Sequence, residues 1–113
     1  MAISYQSVAQ TCITMYAAPD LTEGIICRIS ADDTVGVCDD GDAFCGVTVG
    51  VKDKLCGVIV GGFVTVAYTG TAPAAGWQGL SANDTGGVRA DTTGKAYLVT
   101  RVNTADSTVT FLL

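Results

Sequence analysis

The stretch ISADDTVGV, residues 29–37, returns almost unchanged as LSANDTGGV at residues 80–88. Ser30, Ala31, Asp33, Thr34, Gly36 and Val37 recur 51 positions later as Ser81, Ala82, Asp84, Thr85, Gly87 and Val88. Nine residues alone are compatible with a shared turn, whereas an echo that continues on both sides is an architecture. It does continue. Upstream, Ile13-Thr14-Met15 matches Val64-Thr65-Val66 at the same spacing. Downstream the second copy carries two extra residues and the spacing becomes 53, so that Gly41 faces Gly94, Cys45 faces Leu98, Val49 faces Val102 and Val58-Ile59-Val60 faces Phe111-Leu112-Leu113. The chain divides into a leader, 1–11, and a single β domain, 12–113, made of two repeats, 12–62 and 63–113. Matched apolar spacing implies matched strand registers, so Ser30 is expected over Ser81 and Val37 over Val88.

Within each copy, short runs of Val, Ile, Thr and aromatic residues alternate with Gly, Asp, Asn and Thr clusters, the pattern of a β-sandwich or barrel. Strands are expected over 12–16, 25–30, 35–38, 44–50 and 55–60, with counterparts at 63–68, 77–81, 87–91, 96–103 and 108–113. Asp39-Asp40-Gly41 and Thr92-Thr93-Gly94 read as hairpin loops closed by a glycine at positive φ. No apolar face recurs at helical spacing without Gly or β-branched interruption. The fold class is therefore all-β, a small antiparallel barrel or sandwich built from two sequence-related halves.

Composition narrows the function. Of 113 residues, 49% are apolar and only 15% charged, so either the core is unusually efficient or part of the outer surface is covered by neighbours, as in subunits of permanent assemblies. A net charge of −5 leaves no basic stripe to release counterions from a phosphate backbone, so nucleic acid is not an expected partner. The uncharged run from Leu55 to Asn83 is broken by Gly61-Gly62 and rich in β-branched residues. It reads as two buried strands joined at a Gly-Gly turn rather than a membrane span. Residues 1–11 show neither the basic region nor the apolar region of a signal peptide.

No catalytic constellation emerges. Without histidine the common nucleophile–base pairs of hydrolases are missing. The five cysteines are spaced by 15, 11, 7 and 11 residues, which matches no zinc pattern. Cys12, Cys45 and Cys56 stand where the other copy has Phe63, Leu98 and Val109. They are expected to be small buried hydrophobes, unpaired in a reducing compartment, and Cys27 and Cys38 escape that argument. Asp39, Asp40 and Asp42 lack the alternation and distal Glu of a calcium loop and read as solvated turn residues, so no metal and no cofactor is expected. Lys95, after a Gly at a supposed hairpin tip, suggests a lipoyl- or biotin-carrying lysine, but its flanks TTGKAYL lack that context. Trp77, Tyr68, Tyr97, Phe44 and Phe63 are expected to fill the core; the alternative is a sugar-binding platform.

The sequence LTEGIICRISADDTVGVCDDGDAFCGVTVG…LCGVIVGGFVTVAY, then APAAGWQGLSANDTGGV…KAYLVTRVNTADSTVTFLL, resembles the bacteriophage capsid cement, or head decoration, proteins. The features that carry the resemblance are Gly24, Ile25–Ser30, Val35–Cys38, Cys45-Gly46-Val47 and the linking Gly62-Phe63-Val64-Thr65-Val66, with Gly76 reopening the cycle. They are patterns of spacing and small residues over about residues 12–113. The resemblance implies a non-enzymatic virion protein, made in the host bacterial cytoplasm, that binds the outer face of an assembled head and stabilises it. Its implied partner is the major capsid protein, and it implies a homo-oligomer, a trimer rather than a dimer. The leader lies outside the resemblance. A terminus outside the repeated core reads plainly as a flexible tail. The alternative is an arm that adds to a neighbouring subunit or the capsid surface as an extended strand, with Ile3, Tyr5 and Val8, set among polar neighbours, as its candidate anchors.

Overall fold

The computed structural model describes residues 10–113. Ten strands follow one another, with no helix among the described residues. The first five are β1 (Thr11–Ala17), β2 (Ile26–Ala31), β3 (Thr34–Val37), β4 (Gly46–Lys52) and β5 (Leu55–Gly61). The second five are β6 (Phe63–Thr69), β7 (Gly76–Ala82), β8 (Val88–Ala90), β9 (Lys95–Asn103) and β10 (Thr108–Leu112). The all-β fold of two related halves is as the sequence indicated, and each half closes on itself. The strand orders β1-β3-β2-β4-β5 and β6-β8-β7-β9-β10 each form a closed five-stranded barrel, and closure leaves only short stretches of open strand edge. In both barrels the first and third strands run parallel and every other pairing is antiparallel.

Registers give the equivalences directly. Met15 pairs with Cys56 as Val66 pairs with Val109. Ile26 pairs with Val47 as Trp77 pairs with Leu98. A β-bulge falls at Val49 in β4 and at Thr100 in β9. The spacing of 51 therefore holds in β6, β7 and β9. The second copy's two extra residues lie in the β9–β10 turn, which spans 104–107 where the β4–β5 turn is only Asp53-Lys54. This corrects the expected alignment: Cys45 faces Ala96 rather than Leu98, and Val49 faces Thr100 rather than Val102.

The opening echo is where the copies part. Ala17 pairs with Val35 as Tyr68 pairs with Val88, so Val88 matches Val35, not Val37. Both of these valines are fully buried while Val37 is exposed. The cause is local. Asp33, at φ 54°, closes a two-residue turn between β2 and β3. In the second copy the chain instead wraps around buried Asn83, whose Oδ1 accepts from the Thr85 N–H, the Thr85 hydroxyl and the Gly87 N–H, each at 2.9 Å. That wider loop places Gly86 at φ 89°, a conformation denied to the β-branched Val35 that follows Thr34.

Two further expectations change. The segments around Gly41 and Gly94 are not hairpins, because β2 lies between β3 and β4 and β7 between β8 and β9. Gly41 does take positive φ (89°); Gly94 does not, and is small because a Cβ there would meet the Leu80 carbonyl oxygen at 2.6 Å. Strands β5 and β6 meet at Gly62 (φ 99°) but belong to different barrels.

The cores differ in size. The first barrel encloses small groups, Cys27, Val35, Cys56 and Val58 with Leu21. The second encloses Phe111, Tyr97, Leu80, Val88, Val99 and Val109. Phe44, from the loop before β4, reaches across and stacks on Tyr97 at 5.1 Å with its edge to Phe111 at 5.8 Å. Ile26 and Val47, on the outer face of the first barrel, join that same cluster, with Ile59 packed against it. Backbone bonds seal the junction: Gly41 N–H donates to Ala82 C=O (2.8 Å), Ala82 N–H to Asp42 C=O (2.9 Å) and Ile26 N–H to Gly86 C=O (3.0 Å).

Candidate docking surface

Several large apolar side chains remain outside both cores. On the first barrel these include Tyr16, Ile29, Leu55 and Ile13, and on the second Trp77, which is 74% exposed. Ile13, Met15, Tyr16 and Leu55, with Thr14 and Asp33, line a groove of about 360 Å³. The expected core aromatics divide accordingly. Tyr68, Tyr97 and Phe44 are buried, Phe63 is half-buried, and Trp77 points outward. The alternation of β7 carried that signal: Leu80 faces the core, so Trp77, three residues earlier, lies on the opposite face.

Trp77 does not stand alone. It pairs with Leu98, and Leu98 with Leu112, both half-buried. Three apolar side chains thus form one row across the outer face of β7, β9 and β10, each close enough to shield its neighbour from water. Such a row can bury area against a partner at about 25 cal/mol per Å².

Two of the acidic turn residues, Asp40 and Asp42, are engaged in pairing. Asp42 accepts from its neighbour Asp39 N–H at 2.9 Å and lies 3.4 Å from the Arg28 guanidinium. Asp40 bonds Arg89 of the second barrel at 3.1 Å, an inter-barrel bridge that the sequence did not disclose. Among the described residues no three His, Cys, Asp or Glu side chains converge as a metal site would require. Asp91 accepts from the hydroxyl and N–H of Thr93, and these bonds hold its carboxyl down at about 2. Lys95 is the first residue of β9, after a crossover rather than at a hairpin tip, and its ammonium lies 5.2 Å from the Tyr97 ring centre.

All five thiols are unpaired, but their burial departs from expectation. Cys56 is buried, Cys45 half-buried and Cys12 exposed, whereas Cys27 and Cys38, which the repeat left open, are buried. Hydrogen bonding from Cys27 lowers the Cys45 thiol to about 7, and holds Cys27 itself well above the usual thiol range. Burial raises Cys38 to about 11 and pushes Cys56 upward. Since the thiolate is the nucleophile, iodoacetamide at neutral pH should label Cys12 and Cys45 in the native protein and spare Cys27, Cys38 and Cys56. Peptide mass mapping checks this, and early modification of Cys27 would contradict the assignment.

The anchors Ile3, Tyr5 and Val8 lie outside the described residues. Gln10, the first described residue, donates its side-chain amide to the Phe63 carbonyl at 3.2 Å. No protein-family model, no curated protein and no solved structure matches this chain.

Proposed function

We propose that the protein is a non-enzymatic decoration protein that binds the outer surface of an assembled phage head, with the major capsid protein as its partner. The observation that carries this reading is the set of large apolar side chains left exposed on both barrels, Trp77 and Tyr16 foremost. Two closed barrels sharing a continuous aromatic and aliphatic junction make a stiff body. A stiff body loses little conformational freedom on docking, so more of the buried area becomes affinity. Bridging adjacent capsomers, it makes lattice expansion break its own contacts as well as theirs. The resemblance in spacing between this chain and the cement proteins supports the same reading.

The test is co-sedimentation with purified heads assembled without the protein. Saturable binding and a raised temperature of head rupture are expected, with retention weakened on deleting residues 2–10 while thermal unfolding of the free protein is unchanged. Absence of binding to heads overturns the proposal. The exposure of Trp77 also favours a second reading, a carbohydrate-binding module. That reading requires glycan binding lost in Trp77→Ala, and head binding without glycan binding discards it.

A further inference from the structure

The duplication bears on what could cover the open surfaces. In the first barrel the outer row Ile26–Val47–Ile59 runs across β2, β4 and β5, and it is buried against the second barrel. Its equivalent in the second barrel is the row Trp77–Leu98–Leu112, position for position by strand register. That row is left facing solvent, with a tryptophan where the first barrel has isoleucine.

The receiving surface is duplicated as well. In the second barrel the end of β7, Leu80-Ser81-Ala82, is buried: Leu80 lies in that barrel's own core, and Ala82 is covered by the 41–42 segment of the first barrel, which bonds to it. Its equivalent is the end of β2, Ile29-Ser30-Ala31, which is exposed throughout, Ile29 at 52%. Among the described residues β2 pairs with β4 only at Ile26 and Cys27. The strand edge beyond them, on that side, therefore lacks a strand neighbour. Beside it lies the apolar groove of Ile13, Tyr16 and Leu55.

One molecule thus carries a covered donor row and a covered acceptor edge at its internal junction, and an open copy of each at its two ends. We infer that a second copy of this chain docks head to tail, its Trp77–Leu98–Leu112 row seating on the Ile29–Ala31 edge and groove of the first. The contact repeats between molecules what the two barrels already do within one. The first barrel's donor also has Phe44, and the second barrel has no aromatic at the matching position. The indole of Trp77 supplies that aromatic surface instead. The interface is heterologous, and such an interface closes into a ring when its rotation allows and otherwise extends as a filament. This inference rests on the duplication, and it gives to a second copy the Trp77 row and Tyr16 groove on which the capsid reading also draws.

Sedimentation velocity with Trp77→Glu and Ile29→Glu tests it; both residues are exposed, so both variants should keep the parent's circular dichroism, which is checked first. The parent should self-associate, with Trp77 emission shifting to the blue as concentration rises. Each variant should associate more weakly by roughly tenfold or more, as loss of a central interface residue does. The deciding arm is an equimolar mixture of the two variants. One retains a working edge and the other a working row, so the mixture should form a one-to-one heterodimer that neither variant forms alone. A parent that stays monomeric at its highest soluble concentration, variants that associate like the parent, or a mixture that stays monomeric each overturns the inference. Ile29→Glu associating like the parent while Trp77→Glu does not would indicate a symmetric row-on-row contact.

Discussion

Phe111→Ala is expected to lower the stability of the protein by about 3–5 kcal/mol, the usual cost of truncating a core phenylalanine. Phe111 is fully buried in the second barrel. Its ring contacts Tyr97 at 5.2 Å and Phe44 at 5.8 Å between centroids. Two costs combine: the transfer of an aromatic side chain's surface back toward water, and a cavity that cannot collapse. Collapse is resisted because β10 is held on both sides, by β6 and by β9, and cannot move inward without breaking a ladder. The matching residue of the first barrel is Val58, also fully buried, where Val58→Ala removes only two methyl groups and should cost about 1–3 kcal/mol by the area it exposes. A domain of this size has roughly 5–15 kcal/mol in total, so Phe111→Ala removes a large share and Val58→Ala a small one. Urea unfolding of both variants checks the ordering, which equal losses would contradict.

The strands were legible because period-two alternation and turn chemistry are local signals, and the observed spans stay within about two residues of those expected, the scatter usual for element ends. Closure into two barrels was not legible. Alternation says which face of a strand is buried but not which strand lies beside it, and the crossovers that set β2 between β3 and β4 look locally like hairpin turns. The Val37 alignment went wrong because the loop around Asn83 is longer than its counterpart, and the Cys45 alignment for a related reason. A sequence gap can be placed anywhere between two matched runs, whereas the β-bulges at Val49 and Thr100 locate it in the β9–β10 turn.

Burial inferred from a repeat partner also has a physical limit. Cys12 was expected inside because Phe63 is apolar, yet Phe63 is itself only half-buried. Cys27 faces the polar Gln78 and is fully buried. The two halves share most hydrogen-bonded registers outside the β2–β3 and β7–β8 pairs but not their surroundings, because each presents a different surface to the other. Ile26 and Trp77 make the point: the register is the same, one side chain is sealed against the neighbouring barrel and the other stands in solvent. The candidate docking row was therefore readable as a pattern, while its exposure depended on a junction that only the tertiary fold defines.

That junction gives the second large expected effect. Phe44 precedes β4 in a connecting segment, where substitutions ordinarily change stability by less than about 0.5 kcal/mol. Phe44→Ala is expected to cost about 3–4 kcal/mol instead, as a core aromatic would. Its ring is 7% exposed and stacks on Tyr97 at an interplanar angle of 13°, so the first barrel contributes an aromatic to the core of the second. Part of that energy belongs to the pair rather than to either residue. A double-mutant cycle with Tyr97→Ala should give a coupling of about 0.5–1.5 kcal/mol, the range for aromatic contacts beyond simple area burial. The same link should make the barrels unfold together in the parent, so that fluorescence of Trp77, which lies in the second barrel alone, and far-ultraviolet circular dichroism, which sees both, follow one transition. In Phe44→Ala the two signals should separate, the shared cluster having lost its central ring. A Phe44→Ala variant within about 1 kcal/mol of the parent, with the two signals still coincident, would show that the barrels are joined by the Ile26–Val47–Ile59 row and the backbone bonds at Ala82 and Gly86 without this residue.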